Sequence, residues 1–517
     1  MNDDPSATLA ELVQDAITVY HDDPEAVGTL QRHARRLDEP LRVAVAGMVK
    51  AGKSTLINAI MGEEIAPTGT GECTRIVTWY RYGDTPRVTM HPRDGEPLPL
   101  AVRRTNGLLD FDLRGASAHD VDRLVVEWPN ASLRDMTLID TPGIASLSGD
   151  VSARSTDILI PDSGTSATDA IIYVMRHLHE ADLSFLQSFG RTSANQPGAI
   201  NALAVISRAD EIGAGRIDSL LAARDIARRY RDDGALRSVA MGVVPVAGLL
   251  AQTARTMQQA EFGILLELAE LDKPERERML MSADRFVRPT THVAADDEAR
   301  AALLRRFGLF GIRLATVLIG SGTTDPTELA RELARRSGLH ELQRLITGQF
   351  QVRAEHLKAY TALVAVETLV RERPRSGTDS LTASLERIRA GVHEFRELRL
   401  LAISRTSGLG LPRELGAEVE RLIGGSGVEP ADRLGLGDDA AADDVRAEAL
   451  AALERWRSRA EHPLTDRAAA EVCRTVVRSC EALLASVPGS ESSTRLAHDP
   501  EPDSGSGEQA GYQPRAG

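Results

Sequence analysis

The stretch LRVAVAGMVKAGKSTLINAIMG, residues 41–62, constrains the fold more than any other part of the chain. Leu41 to Gly47 is a short apolar run ending in glycine, the pattern of a buried strand. STLINAIMG, starting at Ser54, carries the amphipathic pattern of a helix. Between them Gly47-Met48-Val49-Lys50-Ala51-Gly52-Lys53-Ser54 fits GxxxxGK[ST]. Glycines let backbone N–H groups curl around a phosphate, and the following helix N-terminus adds partial positive charge. Gly47, Lys50, Ala51, Gly52, Lys53, Ser54 and Thr55 are therefore candidate phosphate contacts. In this motif the Lys53 ammonium reaches the β- and γ-phosphates and the Ser54 hydroxyl faces Mg²⁺.

Further apolar runs follow at Ile76–Tyr80, Leu124–Glu127, 136–140, 170–175, 202–207 and 243–248, with helical patterns between most of the later ones. This alternation predicts an α/β domain over 41–255, a mostly parallel sheet with helices on both faces. After about residue 257 the strand signal vanishes. Asp325, Pro326 and Glu328 form a helix start, and Ser337-Gly338 ends that helix. From Leu339 apolar residues recur at nearly the helical period, predicting one helix to Glu372, roughly 50 Å long. Helices are also expected at about 380–403, 412–423, 441–460 and 466–485. The expected units are N-terminal helices over 1–40 that join the helical bundle, the α/β domain, an all-α stalk over 256–485, and an acidic, Pro/Gly/Ser-rich tail over 486–517, expected to be disordered.

Three more elements stand in the order a GTPase requires. Thr74, in PTGTGECTR, lies in a glycine-rich loop that could close over a γ-phosphate and complete a Mg²⁺ shell. Asp140-Thr141-Pro142-Gly143 ends an apolar strand, supplying a carboxylate for the outer Mg²⁺ shell and, at Gly143, a backbone N–H for the γ-phosphate. Ser207-Arg208-Ala209-Asp210 follows a later strand. A carboxylate there accepts both N–H groups of guanine and repels the ring nitrogen of adenine. Serine and arginine replace the usual Asn/Thr and lysine of this element, and the Arg208 guanidinium can still lie flat on a base. Pro245-Val246-Ala247-Gly248 is a further candidate base loop. Lys53 and Asp140 are 87 residues apart, long for a minimal GTPase, so extra strands are expected between them.

Composition narrows the partners. The net charge is −14 and aromatics are 4%, which speaks against nucleic acid as a partner. Three cysteines suit a reducing cytosol, and no run of 18 uninterrupted apolar residues predicts a membrane span. Only four of the 61 basic residues are lysine, and two of these, Lys50 and Lys53, sit in the phosphate loop.

The motifs GMVKAGKSTLINA, IAPTGTGECTRIVTW, VEWPNASLRDMTLIDTPG, SRADEIGAGRID, FGLFGIRLA and IGGSG resemble the bacterial dynamin-like GTPases, most closely the mycobacterial isoniazid-inducible type. The resemblance covers about residues 1–485. It implies GTP and GDP as ligands with Mg²⁺, a helical stalk, GTP-driven self-association, and peripheral work on the inner face of the plasma membrane linked to cell-envelope stress. An anionic lipid surface and a paralogous dynamin-like protein are the implied partners. Eukaryotic dynamins carry glutamine and serine where this chain has Val49 and Lys50. Val49 cannot orient water, so Lys50 and Thr74 are the expected catalytic elements, Lys50 offsetting charge at the β–γ bridge. Two alternatives remain at this point, a poorly hydrolysing partner subunit and an RNA-linked GTPase. Candidate membrane tips are the turn Arg371–Gly377, with three arginines, and Leu409-Gly410-Leu411.

Overall fold

The computed structural model describes residues 5–68, 75–105, 108–144, 159–160, 166–194, 200–213, 215–406, 408–437 and 439–487. Thr74 and the tail from 488 lie outside the described residues. The strands are β1 (Leu41–Gly47), β2 (Val77–Tyr82), β3 (Arg87–Pro92), β4 (Leu98–Leu100), β5 (Val102–Thr105), β6 (Leu108–Phe111), β7 (Val121–Trp128), β8 (Met136–Asp140), β9 (Ala170–Met175), β10 (Ala202–Ser207) and β11 (Gly242–Val246). Nine of them form one sheet in the order β11-β10-β9-β1-β8-β2-β7-β3-β4, and β5 pairs with β6 alone.

From β11 to β8 every pairing is parallel. Beyond β8 the sheet becomes mixed: β2 runs antiparallel to β8 and parallel to β7, and β3 and β4 add antiparallel edges. Strands β3 to β6 fill the long interval between Lys53 and Asp140. β3 is partly exposed and β4 to β6 have only three or four residues each, so their apolar runs are too brief to read individually.

The central strands are buried on both faces, and strand alternation sends their side chains into two different cores. Val43 and Val45 of β1, Ile172 and Val174 of β9, and Leu203 and Val205 of β10 enter the larger core. Ala44, Ala46, Ile171, Tyr173, Ala204 and Ile206 enter the other, with Phe185, Leu186 and Phe189 of the helix Glu180–Ala194. The larger core continues without interruption into the bundle, through Leu339, Leu342, Phe350, Leu363, Trp456 and Val476.

The helices between residues 259 and 336 pack in a third core, where Phe262, Phe286, Phe307 and Leu333 meet Ala247, Leu250 and Ala254 of the α/β domain. The helices Pro5–Val19 and Pro24–Leu37 lie instead on Ala354–Glu372 and Thr378–Gly391. Lys358 Nζ donates to the carbonyls of Leu37 and Glu39, and Tyr20 Oη to those of Leu369 and Arg373. Arg373 pairs with Asp23 and Glu25, and Arg375 pairs with Asp22 and stacks over the Tyr20 ring. Two of the three arginines of that turn are thus committed to the N-terminal hairpin. Leu409 and Leu411 pack partly against the main core.

The single long helix expected from Leu339 is interrupted. It runs Leu339–Leu345, passes through a wide π-type turn at Ile346–Gln351, and resumes at Ala354–Glu372. In the wide turn the Val352 N–H donates to Thr347 O, five residues back. Next to it the buried Arg353 guanidinium donates to Gln349 Oε1 and to the carbonyls of Ile423 and Gly424. Such insertions into the helical ladder shift the axis while apolar periodicity persists in sequence.

Edge strand β11 is sealed by the bundle, which removes the hazard of an open sheet edge. Ala247 N donates to Ser337 O, and Gly338 (φ +85°) lies so close that an added Cβ would sit 2.1 Å from Pro245 O. Arg231 donates to Val243 O and pairs with Glu341. The buried Arg405 donates to the carbonyls of Ala240, Met241 and Gly425 and pairs with Glu420, which also meets Arg237. Arg405→Ala strands those buried acceptors and should destabilise the chain by about 2–4 kcal/mol, read as a lower chemical-denaturation midpoint. Arg405→Lys, with one ammonium for four acceptors, should recover only part of the loss.

Candidate functional site

The site lies at the C-terminal ends of the parallel strands, where open α/β sheets bind ligands. β1 delivers the chain into Met48–Gly52, and the helix Lys53–Met61 leaves from it. Gly47 (φ +146°) has no room for a side chain, since a Cβ there would lie 2.0 Å from Val174 O. Lys50 holds a left-handed conformation (φ +61°), which a non-glycine residue rarely adopts. Lys53 is buried, and its Nζ donates to the carbonyls of Gly47 and Met48 at 3.1 and 3.2 Å. Burial pushes its pKa down while the Asp140 charge pulls it up.

β8 runs beside β1 in register, Val45 opposite Asp140, so the second motif ends next to the loop. Ser54 Oγ donates to Asp140 Oδ2 at 2.7 Å. Burial raises the Asp140 carboxyl to about 6, against the opposing effects of Lys53 and of the Ser54 hydrogen bond. Thr141 Oγ1 donates to Val45 O and Ile144 N to Gly47 O, tying this segment to the phosphate loop. A Cβ on Gly143 would come within 2.6–2.9 Å of Val49 Cγ2, Cα and N, so only glycine fits against the loop there. Val49, which carries no polar group, is the surface Gly143 packs on.

β10 supplies the third motif. Ser207 is buried and donates to Met175 O; Arg208 is left-handed (φ +51°); Asp210 is raised in pKa chiefly by burial. A cavity of about 190 Å³ is lined by Gly52, Thr55, Ser207, Arg208, Asp210 and Gly248, among others. The Ser207–Asp210 motif and the loop after β1 therefore share one pocket. The last candidate loop reaches it through Val246 and Gly248. Sequence reasoning missed Glu211 and Arg176, since a charged residue after a strand carries no signal until its partner is known.

The hydroxyl of Ser54 and the carboxylate of Asp140 are hard oxygen donors in contact, the ligand chemistry Mg²⁺ takes. Because the folded-state pKa of Asp140 lies above its usual value, the folded chain binds that proton more tightly than the unfolded chain. The cost of the buried charge is therefore full above pH 6 and fades as pH falls towards 4. Asp140→Asn should stabilise the nucleotide-free chain by about 1–2 kcal/mol at pH 8 and by little at pH 4. Denaturation at both pH values checks this, and an equal gain at the two would contradict it.

Residues 43–194 match the model of the Dynamin family. The isoniazid-induced protein IniC of Mycobacterium tuberculosis is 45% identical over 456 residues, 88% of this chain and 92% of that protein. The isoniazid-induced protein IniA of the same organism is 26% identical over 196 residues, 34% of this chain and 31% of that protein. A bacterial dynamin-like protein of Nostoc punctiforme is 33% identical over 147 residues, 26% of this chain and 20% of that protein. With this identity along nearly its whole length, and with residues 43–194 matching the family model, the chain belongs to the dynamin family of GTPases, in the group of IniC.

Proposed function

We propose that this chain hydrolyses GTP to GDP and phosphate with Mg²⁺. The observation that carries the reading is the shared pocket, in which Asp210 and Arg208 face the same space as Gly52 and Thr55 of the phosphate loop. On GTP binding Lys53 would exchange the carbonyls of Gly47 and Met48 for the β- and γ-phosphates. Ser54 and Thr74 would hold Mg²⁺ through their hydroxyls, with Asp140 behind Ser54; bound there, the ion neutralises phosphate charge. Gly143 would offer its N–H to the γ-phosphate. Asp210 would accept from the guanine edge and Arg208 would lie over the base.

Catalysis is assigned to Lys50 and Thr74. Val49 packs on Gly143 and has no donor, so beside Lys53 the cation of Lys50 is the group of the loop able to offset charge developing at the β–γ bridge. A second reading rests on the same Val49 and on the altered Ser207-Arg208 pair, namely a nucleotide-binding subunit that turns over poorly without a paralogous dynamin-like partner.

Membrane work is proposed from the family. Among the described residues no helix is long and apolar enough to cross a membrane. Peripheral binding to anionic lipid at the cytoplasmic face of the plasma membrane, with GTP-dependent self-association, is the reading that fits. The helices of 1–40 and those from 338 to 487 are proposed as the stalk. The α/β domain is proposed to carry the helices of 257–336, with which it shares a core.

GTP turnover by the purified chain, with and without anionic vesicles, tests this. Lys53→Ala should abolish turnover. Lys50→Ala should lower kcat by about 10²-fold or more while nucleotide affinity changes little, as for loss of one transition-state cation. Full turnover in Lys50→Ala would remove Lys50 from catalysis. Tight GTP binding without turnover under either condition would favour the partner-subunit reading.

A further inference from the structure

Beside the base pocket stands a charge bridge that the GTPase reading leaves unused. Glu211 follows directly on Asp210 and lines the same cavity. Its two carboxylate oxygens go to different arginines, Oε1 accepting from Arg208 Nη1 at 2.8 Å and Oε2 from Arg176 Nη2 at 2.5 Å. Arg176 immediately follows β9, whereas Arg208 and Glu211 follow β10, so the carboxylate spans the ends of two adjacent parallel strands. The second Arg208 nitrogen, Nη2, donates to Lys50 O in the phosphate loop at 3.4 Å. The chain of contacts thus runs from β9 through Glu211 and Arg208 to the loop.

We propose that Glu211 is a positioning residue for nucleotide recognition, holding the Arg208 guanidinium between the base pocket and the phosphate loop. The inference rests on the GTPase reading of that pocket. Three physical points support it. A guanidinium lies flat on a base only if its plane is fixed, and a long side chain otherwise samples many rotamers. One carboxylate oxygen per arginine leaves Glu211 unable to swing off Arg208 without releasing Arg176, so Arg176 acts as a buttress. Finally, Glu211 stands next to Asp210, where a second negative charge opposes ionisation of the very carboxylate that must read guanine. A residue kept for solvation alone would gain nothing from that place.

All three side chains are about half exposed, so each pair by itself is a weak contributor to folding. Positioning and stability are therefore separable by experiment. The probe is a fluorescent GDP analogue with Mg²⁺, titrated on the full chain. Glu211→Gln should weaken binding by about three- to tenfold with an unchanged melting temperature. GTP and GDP should weaken in parallel, since both carry the same base, and kcat should hold. Arg176→Ala should give a smaller loss in the same direction. In an Arg208→Ala background Glu211→Gln should have no further effect, because the guanidinium it orients is gone.

An undiminished loss in that background would overturn the proposal, as would unchanged affinity in Glu211→Gln alone. Failure of the GTPase reading looks different: the unsubstituted chain would then not bind the probe, or would bind it as well as Lys53→Ala does.

Discussion

Strand β1 is the constraint on which the rest depends. Apart from Arg42 near its start it is apolar, and both its faces have to be covered. One face is closed by the helices that flank the sheet; the other opens into the core that continues through the bundle. Its last residue, Gly47, also begins the phosphate loop. The same seven residues therefore fix where the helices attach and where the loop begins, and that loop leaves a strand buried on both sides.

The second feature is the tight fit between the loop and the end of β8. Register pairing of Val45 with Asp140 brings Asp140 beside Ser54, and Gly143 against Val49, without any long-range search by the loops themselves. The arrangement holds a carboxylate whose charge is poorly solvated and a lysine folded onto backbone carbonyls.

β11 connects this site to the bundle. Its C-terminal end borders the pocket beside Asp210 through Val246, and its edge is held by Ser337, Gly338 and Arg231, with Arg405 gripping the residues just before it. Arginines dominate these joints, in keeping with a chain that retains lysine at only four places. A planar guanidinium can satisfy several carbonyls at once, as Arg353 and Arg405 do. An ammonium serves where a single donor group must turn among acceptors, as Lys53 and Lys358 do.

The sequence by itself determined the strand–loop–helix at 41–62, the strands at 136–140, 170–175 and 202–207, the helical second half, and that the Gly47–Ser54, Asp140 and Asp210 motifs each follow a strand. All of these are local, since each rests on periodicity or on residues within one loop. What only the tertiary structure decided depends on which distant segments meet. The mixed wing of the sheet followed from pairing, which short strands do not announce. The break at Ile346–Gln351 lies beside Arg353, whose guanidinium reaches carbonyls some 70 residues away. The attachment of 257–336 to the α/β domain, the engagement of Arg373 and Arg375 by the N-terminal hairpin, and the Arg176–Glu211–Arg208 bridge are likewise contacts between remote parts of the chain. Charge and hydrophobicity at one position say what a side chain can bind; only the fold supplies the partner.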